Sequence, residues 1–425
     1  MSVTDPWGSD DAVRAALAER DRRDPLAARR DLFDLPEGLI YLDGNSLGPL
    51  PKASRDRLRR VVDEEWGQGL IRSWNMAGST GAGWIDLAKS TAAKIAPLLG
   101  AEADRVQVAD STSVNLFKLL TSALDLRPGR SVVLSEEEQF PSDLYVAEEI
   151  TRRHPTARLE VVPRRRLAAA LDERVAVLAL THVDFRSGEI HDLAALTGRA
   201  HEVGAVVVWD LAHSAGAVPL ELDAWGVDFA VGCGYKFLNG GPGAPAFLYV
   251  APRWWQAVRN PIAGWLGHAD PFAFDLEYRP ASGSERFVSG TPPILSLAAL
   301  DAALDAFEGV SSGELHTRAL ELGDLFLERV ESRCAGFDVE PVCPPRGAMR
   351  GAQVAFRHRH AFAIVQALIE RRVVGDFRTP DVMRFGLAPL YLRRTEIYDA
   401  VEILAEVLDR EAWRDPRYQH RGKVT

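Results

Sequence analysis

Along the chain, short apolar runs alternate with stretches of helical spacing, and the alternation changes character twice. From Val13 and Leu17 a polar helix rich in Arg and Asp runs through Asp31. A turn-rich segment with Gly44, Gly48, Pro49 and Pro51 follows Tyr41, and residues 53–66 return to helical spacing. Between about Trp84 and Val250 the pattern predicts strands over 106–109, 131–134, 159–162, 175–180, 206–210, 229–232 and 246–249, with helices over 114–124, 142–153 and 193–203. Short apolar strands alternating with helices are the mark of an α/β fold whose mostly parallel sheet is covered on both faces. Ligands in such folds sit at the loops that follow the strand C-termini.

Beyond Pro292 and Pro293 the spacing turns helical over 297–307 and 319–334, then gives a strand at 353–356 and helices over 361–371 and 396–408. The expected division is an N-terminal segment (1–60) packed on the body, a large domain (61–292) with a seven-stranded sheet, and a smaller α+β C-terminal domain (293–425). No internal repeat is visible.

Composition narrows the function. Sixty acidic against fifty basic residues leave a net charge of −10, which disfavours nucleic acid and anionic membrane and favours a small-molecule ligand. The first eleven residues have neither a basic region nor an apolar core, so no signal or transit peptide is expected, and the longest apolar runs, such as 205–209, are too short to span a membrane. Cys233, Cys334 and Cys343 form no CxxC pair, which fits a reducing cytoplasm and argues against a structural metal.

Two strand ends carry the chemistry. The run Ala205-Val206-Val207-Val208-Trp209 delivers Asp210 at its C-terminus, followed by Leu211-Ala212-His213. An Asp at such a turn also serves as a helix N-cap. The next strand runs through Gly234 into Tyr235-Lys236 and the turn Asn239-Gly240-Gly241-Pro242-Gly243. A lysine just past a buried strand is costly to desolvate unless it is a surface group with its amine in water. Together, an amine for an aldehyde and a carboxylate for a pyridinium nitrogen are what pyridoxal 5'-phosphate requires. Ser111-Thr112-Ser113, at the start of a helix, offers unpaired NH groups and hydroxyls for a phosphate, and equally an ordinary N-cap. Gly232-x-Gly234 is not a dinucleotide fingerprint, because position 237 is Phe.

These blocks resemble the fold-type I pyridoxal-phosphate enzymes (aspartate aminotransferase-like) and, within them, kynureninase. The resemblance is carried by Tyr41-Leu42-Asp43-Gly44-Asn45-Ser46-Leu47-Gly48, Phe140-Pro141-Ser142-Asp143, Trp209-Asp210-Leu211-Ala212-His213, Tyr235-Lys236-Phe237-Leu238-Asn239, Gly264-Trp265-Leu266-Gly267-His268 and Met383-Arg384-Phe385-Gly386. It implies that Lys236 holds the cofactor as a Schiff base and moves the Cα proton, with Tyr235 at the phosphate and in the proton relay. Asp210 would pair with the ring nitrogen near His213, Phe140 would stack on the ring, Asp143 would complete the pocket and Thr181 would sit near the ring. Thr112 and Ser113 would hold the phosphate, which Trp265 and Thr291 would reach from the second subunit of a homodimer. Arg384 would take the substrate α-carboxylate, although a surface ion pair is its plainer use.

The implied reaction is hydrolysis of L-kynurenine to anthranilate and L-alanine, a step of tryptophan catabolism. Family members that prefer the 3-hydroxylated substrate carry other residues where this chain has Trp74, Gly290 and Thr291, so plain L-kynurenine is implied; Trp74 and His268 also read as core residues. Two rivals stand beside this. A cysteine desulfurase would use Cys343, in the Pro-rich segment 341–347, as its nucleophile, although that family has His before its lysine where this chain has Tyr235. A cofactor-binding scaffold without turnover would have no use for Lys236, Asp210, Tyr235 and Arg384 together.

Overall fold

The computed structural model describes residues 10–76 and 83–420. The chain divides into two compact units. One contains Ala53–Phe185 and Ile190–Ser312; the other contains the described residues up to Lys52, Arg186–Glu189 and the chain from Gly313 onward.

The first unit is built on seven strands: β1 (Val106–Val108), β2 (Val132–Glu136), β3 (Arg158–Val162), β4 (Val175–Thr181), β5 (Val206–Asp210), β6 (Phe229–Gly232) and β7 (Phe247–Val250). Their order across the sheet is β1-β7-β6-β5-β4-β2-β3. β7 runs antiparallel to both its neighbours and the other pairings are parallel, so the C-termini of β1, β2, β4, β5 and β6 reach the same edge. Every residue of β4, β5, β6 and β7 is buried, which is why these strands read as unbroken apolar runs rather than alternating ones. α1 (Thr112–Asp125), α2 (Pro141–Arg153) and α3 (Leu193–Glu202) connect them, and Leu116, Leu119, Leu120 and Ala123 of α1 join Val177, Val206, Val208, Phe229 and Val231 in one core.

The expected strands lie where the apolar runs place them, with ends displaced by a residue or two. Helix α1 starts two positions earlier than its apolar spacing suggests, because Ser111 caps it by accepting from Val114 N–H. The helix expected over 53–66 begins at Lys52 but widens into π-type turns over Val61–Gly69. There Arg57, buried on the preceding turn, reaches Glu65 at 2.5 Å.

The second unit carries an antiparallel sheet in which β8 (Glu340–Pro341), β9 (Gln353–Arg357), β10 (Asp376–Arg378) and β11 (Val382–Gly386) lie in the order β10-β11-β9-β8. Helices α4 (Ser312–Arg333), α5 (Ala361–Glu370) and α6 (Arg394–Asp409) belong to it. The N-terminal segment is part of this unit: Ile40–Tyr41 pairs in parallel with Val373–Val374, and Asp21 accepts from the Arg394 and Thr395 N–H groups at the start of α6. The residues before Asp10, on which the absence of a leader peptide was expected, lie outside the described residues.

Candidate active site

Four strand C-termini converge on one group of side chains. β5 ends in Asp210, which is 4% exposed; its Oδ1 accepts from Ala212 N–H at 2.8 Å, and Thr181, its register partner at the end of β4, turns a hydroxyl toward it. The turn after β6 brings in Lys236, whose Nζ lies 3.0 Å from His213 Nε2 and 5.9 Å from the centre of the Phe140 ring. Phe140 comes from the loop after β2 and meets Phe185 edge-on at 5.2 Å. Asp143, one turn further on, is buried against Asp210.

Two carboxyls in one dry pocket cannot both ionise cheaply. Burial, and then the Asp210 charge, push the Asp143 carboxyl well up. Burial also raises Asp210, but Lys236, the Ala212 N–H and the Thr181 hydroxyl pull it back toward the charged form. The pair therefore presents one negative charge, with Asp143 as the acid that donates to Asp210. Gln139 fixes the arrangement: its Oε1 accepts from Thr181 N–H at 2.7 Å, so its Nε2 must face Asp143 Oδ2, also at 2.7 Å. Burial first, then Cys233 and Asp210, push the Tyr235 phenol up, so it stands as a neutral donor.

Glycines flank the lysine for steric reasons. A Cβ on Gly232 would lie 2.2 Å from the Phe247 ring, and one on Gly234 would lie 2.4 Å from the Pro245 carbonyl oxygen. Thr112 and Ser113 occupy the first turn of α1, with Ser113 Oγ 3.3 Å from Ser142 Oγ. Unpaired NH groups at such a terminus attract an anion. Deeper along α1, the fully buried Lys118 is held by Asp110 at 2.5 Å and by the Phe287 carbonyl at 2.6 Å.

The remaining expected residues of this unit form other clusters. His268, Gly290 and Thr291 line a cavity of about 650 Å³ together with Asp110 and Phe272. The ring nitrogens of His268 are engaged by its own loop, Nδ1 at Asp270 and Nε2 at the Glu277 carbonyl, so its side chain orders that loop. Trp265 packs edge-on against Phe272 at 5.7 Å, and Trp74 against Trp84 at 5.8 Å. Arg384 lies in the second unit, on β11, 1% exposed and paired with Asp376. It is not a surface ion pair. Gln139, Phe185 and Asp376 went unnoticed in the sequence because each acts through partners far away along the chain; only the run Gln139-Phe140 beside the noticed block hinted at one of them.

Comparison with known proteins gives this geometry a family. The family model of the kynureninase C-terminal domain matches residues 315–404. In solved structures the fold recurs in an apo cysteine desulfurase from Thermococcus onnurineus, with a TM-score of 0.75 at 18% identity over 93% of this chain and 98% of that one. It recurs also in C-DES with glycine covalently linked to its PLP cofactor, with a TM-score of 0.74 at 18% identity over 89% and 99%. Those likenesses establish the shared fold alone. Among curated relatives, the kynureninase of Pseudomonas fluorescens is 47% identical over 95% of this chain and 98% of its own length. That of Deinococcus radiodurans is 51% identical over 93% and 96%. Identity at that level over nearly the whole length of each partner places the chain in the kynureninase family.

Proposed function

We propose that the protein hydrolyses L-kynurenine to anthranilate and L-alanine, using pyridoxal 5'-phosphate. The observation that carries this reading is the meeting of the Lys236 amine and the buried Asp210–Asp143 pair at adjoining strand ends, in a chain about half identical to kynureninases. The donor set fits the cofactor: an amine for its aldehyde, one negative charge for its ring nitrogen, the Phe140 ring for its face and the N-terminus of α1 for its phosphate. When bound, the cofactor supplies an electron sink for bonds broken at the substrate's Cα and, one carbon on, at Cβ.

The chain's own groups do the rest. Asp210 keeps the ring nitrogen protonated, while Asp143 and Gln139 hold Asp210 in place. Lys236 anchors the cofactor and moves the Cα proton, with His213 Nε2 at hydrogen-bond distance to orient the amine. Tyr235 would donate to the phosphate beside Thr112 and Ser113, and Thr181 would steady Asp210. Arg384 takes the α-carboxylate; Trp74, His268 and Gly290 bound the aromatic end, favouring plain L-kynurenine.

Trp265 and Thr291 serve the phosphate site of a second subunit in this reading. Support comes from the apolar ladder Trp265, Phe272 and Phe274, with Leu276 beyond it, whose side chains are largely exposed in the single chain. No helix among the described residues is long and apolar enough to cross a membrane, and the three cysteines are free thiols, which supports a cytoplasmic place. Burial pushes the Cys343 thiol up, against its use as a desulfurase nucleophile.

The test is incubation of the purified holoenzyme with L-kynurenine, 3-hydroxykynurenine and L-cysteine in parallel. Equal amounts of anthranilate and L-alanine from L-kynurenine are expected. Sulfur release from L-cysteine with no anthranilate would overturn the reading.

A further inference from the structure

A group of buried charges in the unit that carries the C-terminal helices surrounds Arg384. Asp376 and Arg384 are register partners across β10 and β11. Arg384 Nε donates to Asp376 Oδ1 at 2.9 Å, and its Nη2 donates both to Asp376 Oδ2 and, at 2.8 Å, to Ser46 Oγ. Asn45, with its amide oxygen turned inward as those donors require, accepts from Nε at 2.8 Å. Arg378 on β10 gives Nη2 to the same Asp376 Oδ2 at 2.6 Å and to Ser46 at 3.0 Å. Two guanidiniums thus share one carboxylate.

The remaining acid is Asp43. Its Oδ1 is buried without a hydrogen-bond partner, an expensive position for a charged oxygen. The groups around it are Tyr41 at the end of the Ile40–Tyr41 strand just before it, Ser46, Asp376 and Arg378 on β10, Arg384 on β11 and Tyr391 after β11. Burial first, then Asp376, push its carboxyl up to about 7, against the opposing pull of Ser46 and Arg384. Although burial alone would raise it too, Asp376 is held low by Arg384 and Arg378. With Asp43 protonated the cluster has two cations and one anion, leaving one positive charge for an incoming carboxylate. With Asp43 ionised the charges balance and that surplus disappears.

We propose that Asp376 is a positioning residue that fixes the guanidinium plane of Arg384 for the substrate α-carboxylate, and that Asp43 sets how much negative charge competes for that guanidinium. Bidentate pairing along one edge removes the torsional freedom of a long side chain, so the guanidinium is held in one orientation toward the carboxylate. This inference rests on Arg384 being the α-carboxylate group.

The experiment measures the KM for L-kynurenine and, by calorimetry on the holoenzyme, the Kd for L-alanine between pH 6 and 8.5. Visible absorbance and melting temperature report cofactor retention and folding. Wild-type KM and Kd rise several-fold above pH 7, and Asp43→Asn removes most of that rise. Asp376→Asn raises both by about tenfold while kcat stays within about threefold, the split expected when ground-state capture is lost. Ser46→Ala, a milder cut at the same junction, raises both about threefold and serves if Asp376→Asn does not fold. Persistence of the pH rise in Asp43→Asn, or unchanged Kd in both Asp376→Asn and Ser46→Ala while Arg384→Lys weakens binding, overturns the proposal alone. Unchanged Kd in Arg384→Lys overturns the carboxylate reading beneath it.

Discussion

The Nζ of Lys236 and the Nε2 of His213 stand 3.0 Å apart, and two nitrogens at that distance form a hydrogen bond only if one of them lends a lone pair. The amine is therefore held by a hydrogen bond to the imidazole before any cofactor arrives, and its reach toward the Phe140 ring is set by the β5 and β6 turns rather than by a free side chain. His213→Phe removes this hydrogen-bond partner while keeping a ring of similar size. Cofactor incorporation into the apoprotein should slow about tenfold, followed as growth of the visible band, and an unchanged rate would refute the orienting role.

Asp143 offers a pH signature. Its carboxyl is raised, so the folded chain binds that proton more tightly than the unfolded chain does. Stability from this group is present below the ordinary carboxylate range and is lost as pH rises through the raised value. Asp143→Asn keeps the neutral form at every pH. The variant apoprotein should melt higher than wild type at pH 7.5, by about 1 °C for each kcal/mol relieved, and show little difference at pH 4.5. A lower melting point at pH 7.5 contradicts the shared-charge account. Asp210→Ala, by contrast, should weaken cofactor binding and lower kcat about a thousandfold or more; turnover near the wild-type rate would refute its role at the ring nitrogen.

Gly234 has no room for a methyl group. Gly234→Ala would press Cβ against the Pro245 carbonyl and force the Lys236 turn outward, so reduced cofactor retention and a melting temperature several degrees lower are expected. Full retention of both would show that the turn adapts.

The exposed ladder of Phe272 and Phe274 should be covered by a second copy. Phe272→Asp with Phe274→Asp is expected to shift the mass by light scattering from dimer toward monomer and to reduce activity in parallel, because Trp265 and Thr291 would no longer reach a partner's site. A wild-type monomer at micromolar concentration with full activity contradicts the shared site.

Much of the large unit was legible because its central strands are buried on both faces: Val206–Asp210 and Phe229–Gly232 are bounded in the sequence where they are bounded in space. Helix ends were less legible, since the Ser111 cap and the wide turns after Val61 depend on side-chain hydrogen bonds that apolar spacing does not record. At the site, Asp210 and Lys236 announce themselves as polar groups ending apolar runs. Gln139 and Asp376 do not. Gln139 draws its meaning from Thr181, 42 positions away, and Asp376 from Ser46, 330 positions away, contacts that no local pattern encodes.

The central claim is that Lys236, among six lysines, carries the cofactor. The buried Lys118 is sealed against Asp110, and Lys94 is tied to Asp301 and Asp305, whereas Lys236 faces the acid pair. Borohydride reduction of the holoenzyme followed by peptide mass analysis tests this directly. The account predicts one pyridoxyl-phosphate mass addition, on the peptide containing Lys236; an addition on any other lysine, or none, would contradict it.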